Sequence, residues 1–435
     1  MSVNTLRSYS SVVKETPISL KGRLLNLIHD GDHRKLNELL GHSQYAGELL
    51  KCLWKNSSNG QSYSLLMIAA LNGNDHIIHT IIEHSKVSSS VIELQGRILN
   101  NNGELVDGVT ALWCALERSH FNLARLLIEQ GRAKLGSDLE PSWFLDAAGR
   151  GRLDIVKFFI DHHYVEINES KTEEGNTALG MAAMKGHLEM VQQLCTMDAV
   201  PSLENNSQKT AIQLAAENEK SDIVDFLLDY EHSNRAFDDV ELVVATYILS
   251  SYRNSDYKYE WVIHTLENTL RKRKMLNIAK GIRDPMIVYK FEQECQSVED
   301  LNRIQHNHDR LRVEALMIQE RVLLLRKDEA LVKCLFDEAT ILVENYELEA
   351  GLNFILHIYC ITNQMNSMNH YREFFWLFYK IFSSNRSFPI DEFWELHRKI
   401  YYPSEIISNN STTQDLSYLL ASQAKVSRSL KMHRI

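Results

Sequence analysis

The sequence predicts an all-α chain in two parts, a solenoid of short stacked helix pairs followed by a second α-solenoid of longer helices. Two observations lead there. A short apolar motif recurs through the first half at steps of about 33 residues. From Asp238 onward that period stops, and longer runs with apolar residues at helical spacing take over. A third observation agrees with both: 6 prolines and 18 glycines in 435 residues are too few for an all-β chain full of turns.

The repeated motif is read from Thr110-Ala111-Leu112-Trp113-Cys114-Ala115, Ser142-Trp143-Phe144-Leu145-Asp146-Ala147-Ala148, Thr177-Ala178-Leu179-Gly180-Met181-Ala182-Ala183 and Thr210-Ala211-Ile212-Gln213-Leu214-Ala215-Ala216. Each copy is followed by a second apolar run, such as Leu188 to Leu194. An earlier copy starts at Ser64, and a degenerate one covers Leu20 to Leu40. The opening Thr or Ser suits a helix start, where its hydroxyl satisfies an orphan amide. The Ala-Ala pair keeps the inner helix thin, so that the next unit stacks closely. Gly186, in Lys185-Gly186-His187, allows the turn into the outer helix. One such unit cannot bury its own apolar face, so neighbours must stack into a continuous core. Units of this length and pattern resemble the ankyrin repeat, best kept from Glu174 to Leu194, although the family's proline is missing from every copy.

The expected organisation is a disordered segment over 1–18, six ankyrin-type repeats over 19–236, a tetratricopeptide (TPR)-like helical domain over 237–402, and a linker with a short helix over 403–435. An insert at 85–106 interrupts the repeat period; it reads equally as a loop projecting from a binding face and as a tolerated surface loop. In the second domain, helices are expected over 238–252, 257–276, 310–326, 331–347, 349–361, 371–382 and 391–401, packed as antiparallel pairs. The stretch 404–413 is polar enough to be a flexible link.

Composition excludes several functions. The net charge of −10 disfavours nonspecific nucleic-acid binding, which needs a basic surface to displace counterions. Arg271-Lys272-Arg273-Lys274 lies in a helical pattern and reads as a solvated face. No stretch approaches the apolar length of a membrane span, and Met1 to Ser19 lacks a signal-peptide core. The six cysteines are scattered without a C-x-x-C pair, as expected of reduced thiols in a cytoplasmic or nuclear protein. No Gly-rich phosphate loop, nucleophile elbow or H-E-x-x-H motif occurs, so no enzyme, cofactor or metal is expected. His76, His79, His162 and His163 read as structural or solvated, and Asp154 with Lys157 as a helix-surface charge pair.

Two further stretches carry a more specific resemblance. Asn102-Gly103-Glu104-Leu105-Val106-Asp107-Gly108-Val109-Thr110-Ala111-Leu112-Trp113 closes the insert, and Leu311-Arg312-Val313-Glu314-Ala315-Leu316-Met317-Ile318-Gln319-Glu320-Arg321-Val322-Leu323 lies in the second domain. With the helix at Glu241 to Tyr247 directly after the repeats, the order resembles the feminization (Fem) family from Leu20 to Phe382. Members of that family are substrate receptors of cullin–RING ubiquitin ligases, whose repeats grip a C-terminal degron usually ending in arginine. The resemblance implies a peptide-binding set of Asn102, Glu104, Trp113, Glu117, Asp146, Arg150 and Arg152. It also shows departures. The family's acidic Phe-Asp-Gly-His stretch is Gly149-Arg150-Gly151-Arg152 here, and its second acidic position, in Phe-Asp-Gly-Glu, falls on Asn102. A charge-assisted contact worth about 1.5–3 kcal/mol would become a like-charge clash. The expectation is therefore a ligand that does not end in arginine; Arg150 and Arg152 read equally as favouring an acidic or carboxylate-bearing ligand, with Trp113 as an apolar wall, and as merely solvated on the groove. The family's metal-assisted mode is not expected, because its His and Cys positions are Gly180 and Ala182.

Near the C-terminus, Asp415 to Ala424 resembles the family's elongin-binding helix, which assigns Leu416, Leu419, Leu420 and Ala424 to an elongin B/C contact and makes a cullin a further partner. The family's downstream cullin-contact segment is not seen, and this favours the rival expectation of a scaffold that binds a partner without ubiquitin transfer.

Overall fold

The computed structural model describes residues 17–365 apart from 43–45, 56–59, 85–88, 101–102, 136–142, 170–171, 252–258 and 282, and in addition residues 370, 373, 374, 376, 377 and 380. The described chain is dominated by helices, as its sequence predicts. It divides into two compact units, with the main division at Val243 inside one continuous helix.

In the first unit the helices come in pairs. They are α1 (Pro17–Asp30) and α2 (His33–His42), then, after the short α3 (Ala46–Leu50), α4 (Leu65–Asn72) and α5 (Asp75–His84). The short α6 (Ser89–Ile92) precedes α7 (Ala111–Glu117) with α8 (Phe121–Glu129), α9 (Trp143–Gly149) with α10 (Leu153–Asp161), α11 (Ala178–Lys185) with α12 (Leu188–Thr196), and α13 (Ala211–Glu217) with α14 (Ser221–Glu231). The expected caps form where the hydroxyl reaches back. Ser64 Oγ accepts from the Met67 amide at 3.1 Å, and Thr177 Oγ1 from the Gly180 amide at 3.2 Å. Inner helices form one layer, in which α4 packs on α7, α9 on α11 and α11 on α13; outer helices form another, with α2 on α5 and α12 on α14. Ala69, Ala70, Ala147, Ala148, Ala182, Ala183, Ala215 and Ala216 are fully buried, which is how the inner layer closes up.

The insert corrects the expectation of a loop. Together with the chain before α4 it forms a small antiparallel sheet in the order β1 (Trp54–Lys55), β2 (Ser62–Tyr63), β3 (Gly96–Leu99) and β4 (Leu105–Val109). Its last hairpin pairs Ile98 with Val106 and Leu99 with Leu105. Gly96 is required there, because a Cβ would lie 2.3 Å from the Ser62 carbonyl oxygen. Asn100 closes the turn, donating its amide to the Glu104 carbonyl at 2.9 Å and accepting the Glu104 amide on Oδ1 at 2.9 Å.

The second unit takes up the later part of α15 (Asn234–Ser251), a helix that runs unbroken through the junction expected at 236/237. It continues through α16 (Tyr259–Met275), a 3-10 turn at Ile287–Tyr289, α17 (Val298–Ile304), α18 (His308–Arg326), α19 (Ala330–Glu344) and α20 (Leu348–Met365). α19 and α20 form an antiparallel hairpin that buries Leu335, Ala339, Val343, Phe354, Ile355 and Ile358. α17 was not expected. It starts at a capping box in which Ser297 Oγ accepts the Asp300 amide at 3.2 Å and Asp300 accepts the Ser297 amide at 3.1 Å. The basic run on α16 is not wholly a solvated face, since Arg273 is buried. The segments 1–16 and 381–435, with the expected helix over 391–401 and the C-terminal Leu416, Leu419, Leu420 and Ala424, lie outside the described residues, as does most of 371–382.

Candidate functional site

The site grows out of one turn. α9 ends at Gly149, the Arg150 amide still donates to the Asp146 carbonyl at 3.0 Å, and the Arg152 amide donates to the Ala147 carbonyl at 2.9 Å. Between them Gly151 takes φ +70°, a left-handed conformation that would strain any other residue, and a Cβ there would lie 2.8 Å from His187 Nδ1. The tight reversal leaves Arg150 just past the end of α9 and Arg152 at the N-cap of α10, both reaching toward the C-terminal end of α7.

Their partners are specific. Arg150 Nη1 lies 2.7 Å from Glu117 Oε2, and Arg150 Nη2 lies 2.7 Å from Asp146 Oδ2, one helical turn back. The guanidinium carbon sits 6.0 Å from the centre of the Trp113 ring. Arg152 makes a fork with Asp154, Nε to Oδ1 at 3.0 Å and Nη2 to Oδ2 at 2.9 Å. It also donates to Ser119 Oγ at 3.0 Å and to the Glu117 and Leu116 carbonyls at 3.3 and 3.4 Å. A cation against the last carbonyls of a helix is the favourable arrangement.

Burial differs across the cluster. Glu117 is only 4% exposed, whereas Arg150 keeps 28% of its side chain in solvent. Burial pushes the Asp146 carboxyl above its ordinary value, against the pull of Arg150. Burial also acts to raise Asp154, but hydrogen bonds from Arg152 and Ser119 outweigh it and hold that carboxyl at about 2.

Several sequence expectations change. Arg150 and Arg152 are not free cations waiting for an acidic ligand, because three carboxylates, Glu117, Asp146 and Asp154, face these two guanidiniums. Trp113 is 3% exposed, so it cannot serve as an open apolar wall; what it meets is Arg150. Asp154 pairs with Arg152 rather than serving as a surface partner of Lys157. Trp113, Glu117, Asp146, Arg150 and Arg152 do come together. Glu104 does not join them: it lies at the turn between β3 and β4, where Oε2 accepts from the Asn100 side-chain amide at 3.0 Å. Asn102 is outside the described residues. Sequence reasoning missed Ser119 and Asp154 as members of the cluster. The signal was there for Asp154, an acid in the first turn of α10 two residues after an arginine.

The cluster also marks an irregular seam. Close approach of successive inner helices is weaker at α7–α9 than at α4–α7, α9–α11 or α11–α13. At this step Arg150 and Arg152 reach back to the end of α7, and Phe121 of α8 stacks on Phe158 of α10 with ring centres 5.2 Å apart.

Comparison with known proteins bears on the stack itself. Residues 144–238, from α9 into α15, match the family model for ankyrin repeats in three copies. The chain contains ankyrin repeats. Over 131 residues it is 29% identical to alpha-latrotoxin-Lg1a of Latrodectus geometricus, an alignment that covers 29% of this chain and spans 9% of that relative's length. Among solved structures, a chain from the complex of the Bd0816 predatory endopeptidase of Bdellovibrio bacteriovorus with the immunity protein Bd3460 is similar at 24% identity, over 46% of this chain and 92% of that one, with a TM-score of 0.31. The ankyrin repeats imply protein partners. Among the described residues no helix is long and apolar enough to cross a membrane.

Proposed function

We propose that the ankyrin stack holds a segment of another protein, and that the chain is a substrate-recognition subunit of a cullin–RING ubiquitin ligase whose ligand is a C-terminal peptide not ending in arginine. The supporting observation is that Glu117 and Asp146, the carboxylates a terminal guanidinium would need, are already paired with Arg150 at 2.7 Å each. A charge-assisted fork is worth having only where the carboxylates are unspent. In the wild-type state of the seam a terminal arginine therefore finds no unspent carboxylate among Glu117 and Asp146.

A display library of C-terminal peptides screened against the full chain tests the binding half. Enrichment of peptides with a non-arginine last residue is the expected result, and a consensus ending in arginine overturns the specificity. The ligase half is tested by pull-down with elongin B/C, before and after Leu416→Asp with Leu420→Asp. Loss of binding in the double variant is expected; a wild-type chain that captures no elongin leaves a scaffold that binds a partner without ubiquitin transfer.

A further inference from the structure

We propose that Arg150 is a built-in competitor, seated in a guanidinium-binding cage of Glu117, Asp146 and Trp113, and that the cage accepts an arginine from a partner only when Arg150 leaves it. The inference rests on the reading that this stack holds another protein's segment, but it concerns what opens the seam.

The geometry separates the two arginines. Arg152 uses Nε, Nη1 and Nη2, in a fork to Asp154 and in bonds to Ser119 and two helix-end carbonyls. It is a clamp in which all three nitrogens are engaged. Arg150 spends Nη1 on Glu117 and Nη2 on Asp146, while its Nε–H is buried with no hydrogen-bond partner. An unmet donor on a buried guanidinium costs free energy that a better-placed guanidinium would recover. The same side chain is 28% exposed, so it has a route out to solvent that Glu117, at 4%, does not have. What it would leave behind has the chemistry of a guanidinium site: two carboxylates for the planar fork and an indole face for the cation. Asp146 holds Arg150 from four residues back in the chain, so occupancy by Arg150 is an intramolecular event that a ligand must outcompete.

The test uses arginine amide as the probe and the full chain labelled with 5-fluorotryptophan, the Trp113 fluorine resonance being assigned by Trp113→Phe. Arg150→Ala and Arg150→Gln are compared with wild type; Gln keeps part of the stem over Trp113 should Ala disturb the seam. Both variants are expected to give a saturable shift of the Trp113 resonance, with an apparent Kd at least about tenfold below wild type, because the competent fraction of the cage rises when its occupant is removed. Lysine amide is expected to bind more weakly than arginine amide, and adding Asp146→Asn is expected to abolish the gain. Equal response in wild type and both variants overturns the proposal, as does a gain that survives Asp146→Asn. A failed peptide screen would leave this result standing, since the probe is a single amino-acid amide.

Discussion

A buried glutamate can be compared from a charged cluster of each unit, Glu117 in the first and Glu320 in the second, and the two are furnished differently. Glu320 on α18 is 1% exposed and receives Arg283, the Tyr289 hydroxyl and His357 Nε2, the last at 2.7 Å. Burial acts to raise its carboxyl, but His357, Tyr289 and Arg283 together hold it below the ordinary value, while burial and the nearby Glu320 push the Tyr289 phenol well up. Glu117 on α7 has no such exclusive set. Its cations Arg150 and Arg152 are shared with Asp146 and Asp154, and one of them retains a buried donor without a partner. The difference teaches where adaptability resides. A carboxylate served by three donors holds one arrangement, whereas a carboxylate whose cations answer to other acids admits exchange.

Removing the Glu320 carboxylate should show the largest effect. Glu320→Ala leaves a guanidinium, a phenol and an imidazole facing one another without their common acceptor, and should cost about 3–5 kcal/mol in urea unfolding of the second unit. A loss below about 1 kcal/mol, within the range of exposed ion pairs, would erase the contrast with Glu117.

The two arginines sharpen the comparison further. Arg152→Ala should destabilise the repeat unit by about 1.5–3 kcal/mol, the range for hydrogen bonds to charged groups. Arg150→Ala should cost less, about 1 kcal/mol, since its donors are fewer and one is already unmet. The measurement is the urea midpoint of the repeat transition in both variants. An Arg150 variant more damaging than the Arg152 variant would reverse their assignment as occupant and clamp.

Much of this is legible in the residues alone. The Thr and Ser starts, the Ala-Ala pairs and the apolar period expose the helix pairs from α4 to α14, because each is a local requirement of stacking. The long helices α18, α19 and α20 were legible for the same local reason, apolar spacing over many turns. What stayed hidden depends on distant contacts. The pairing of Arg97 with Ser62 across β2 and β3 involves strands far apart in sequence, and Gly96 matters only through the Ser62 carbonyl. Likewise Arg150 and Arg152 read as unpaired positive charge along the chain. Only the superposition of one repeat on the next brings Glu117, a repeat earlier, into reach. Charge at a repeat seam belongs to the stack and not to the local sequence.

The smallest expected effect is a pH dependence in which the two aspartates of the seam oppose each other. Asp154, at about 2 in the fold against an ordinary 3.8, is more acidic folded than unfolded. Its contribution is present above the ordinary value and is lost as pH falls from about 3.8 toward about 2. Asp146 lies above 3.8 in the fold because burial disfavours its charge, so the folded chain binds the extra proton. Its contribution has the opposite sign: stability falls as pH rises through the window just above the ordinary value. Asp154→Asn should therefore remove part of the acid loss of the repeat unit, and Asp146→Asn part of the loss on the rising side. Urea midpoints collected between about pH 2 and pH 6 separate the two. If both substitutions moved the profile in the same direction, the fork between Arg152 and Asp154 would not be what holds that carboxyl low, and the distinction between clamp and occupant would lose its electrostatic support.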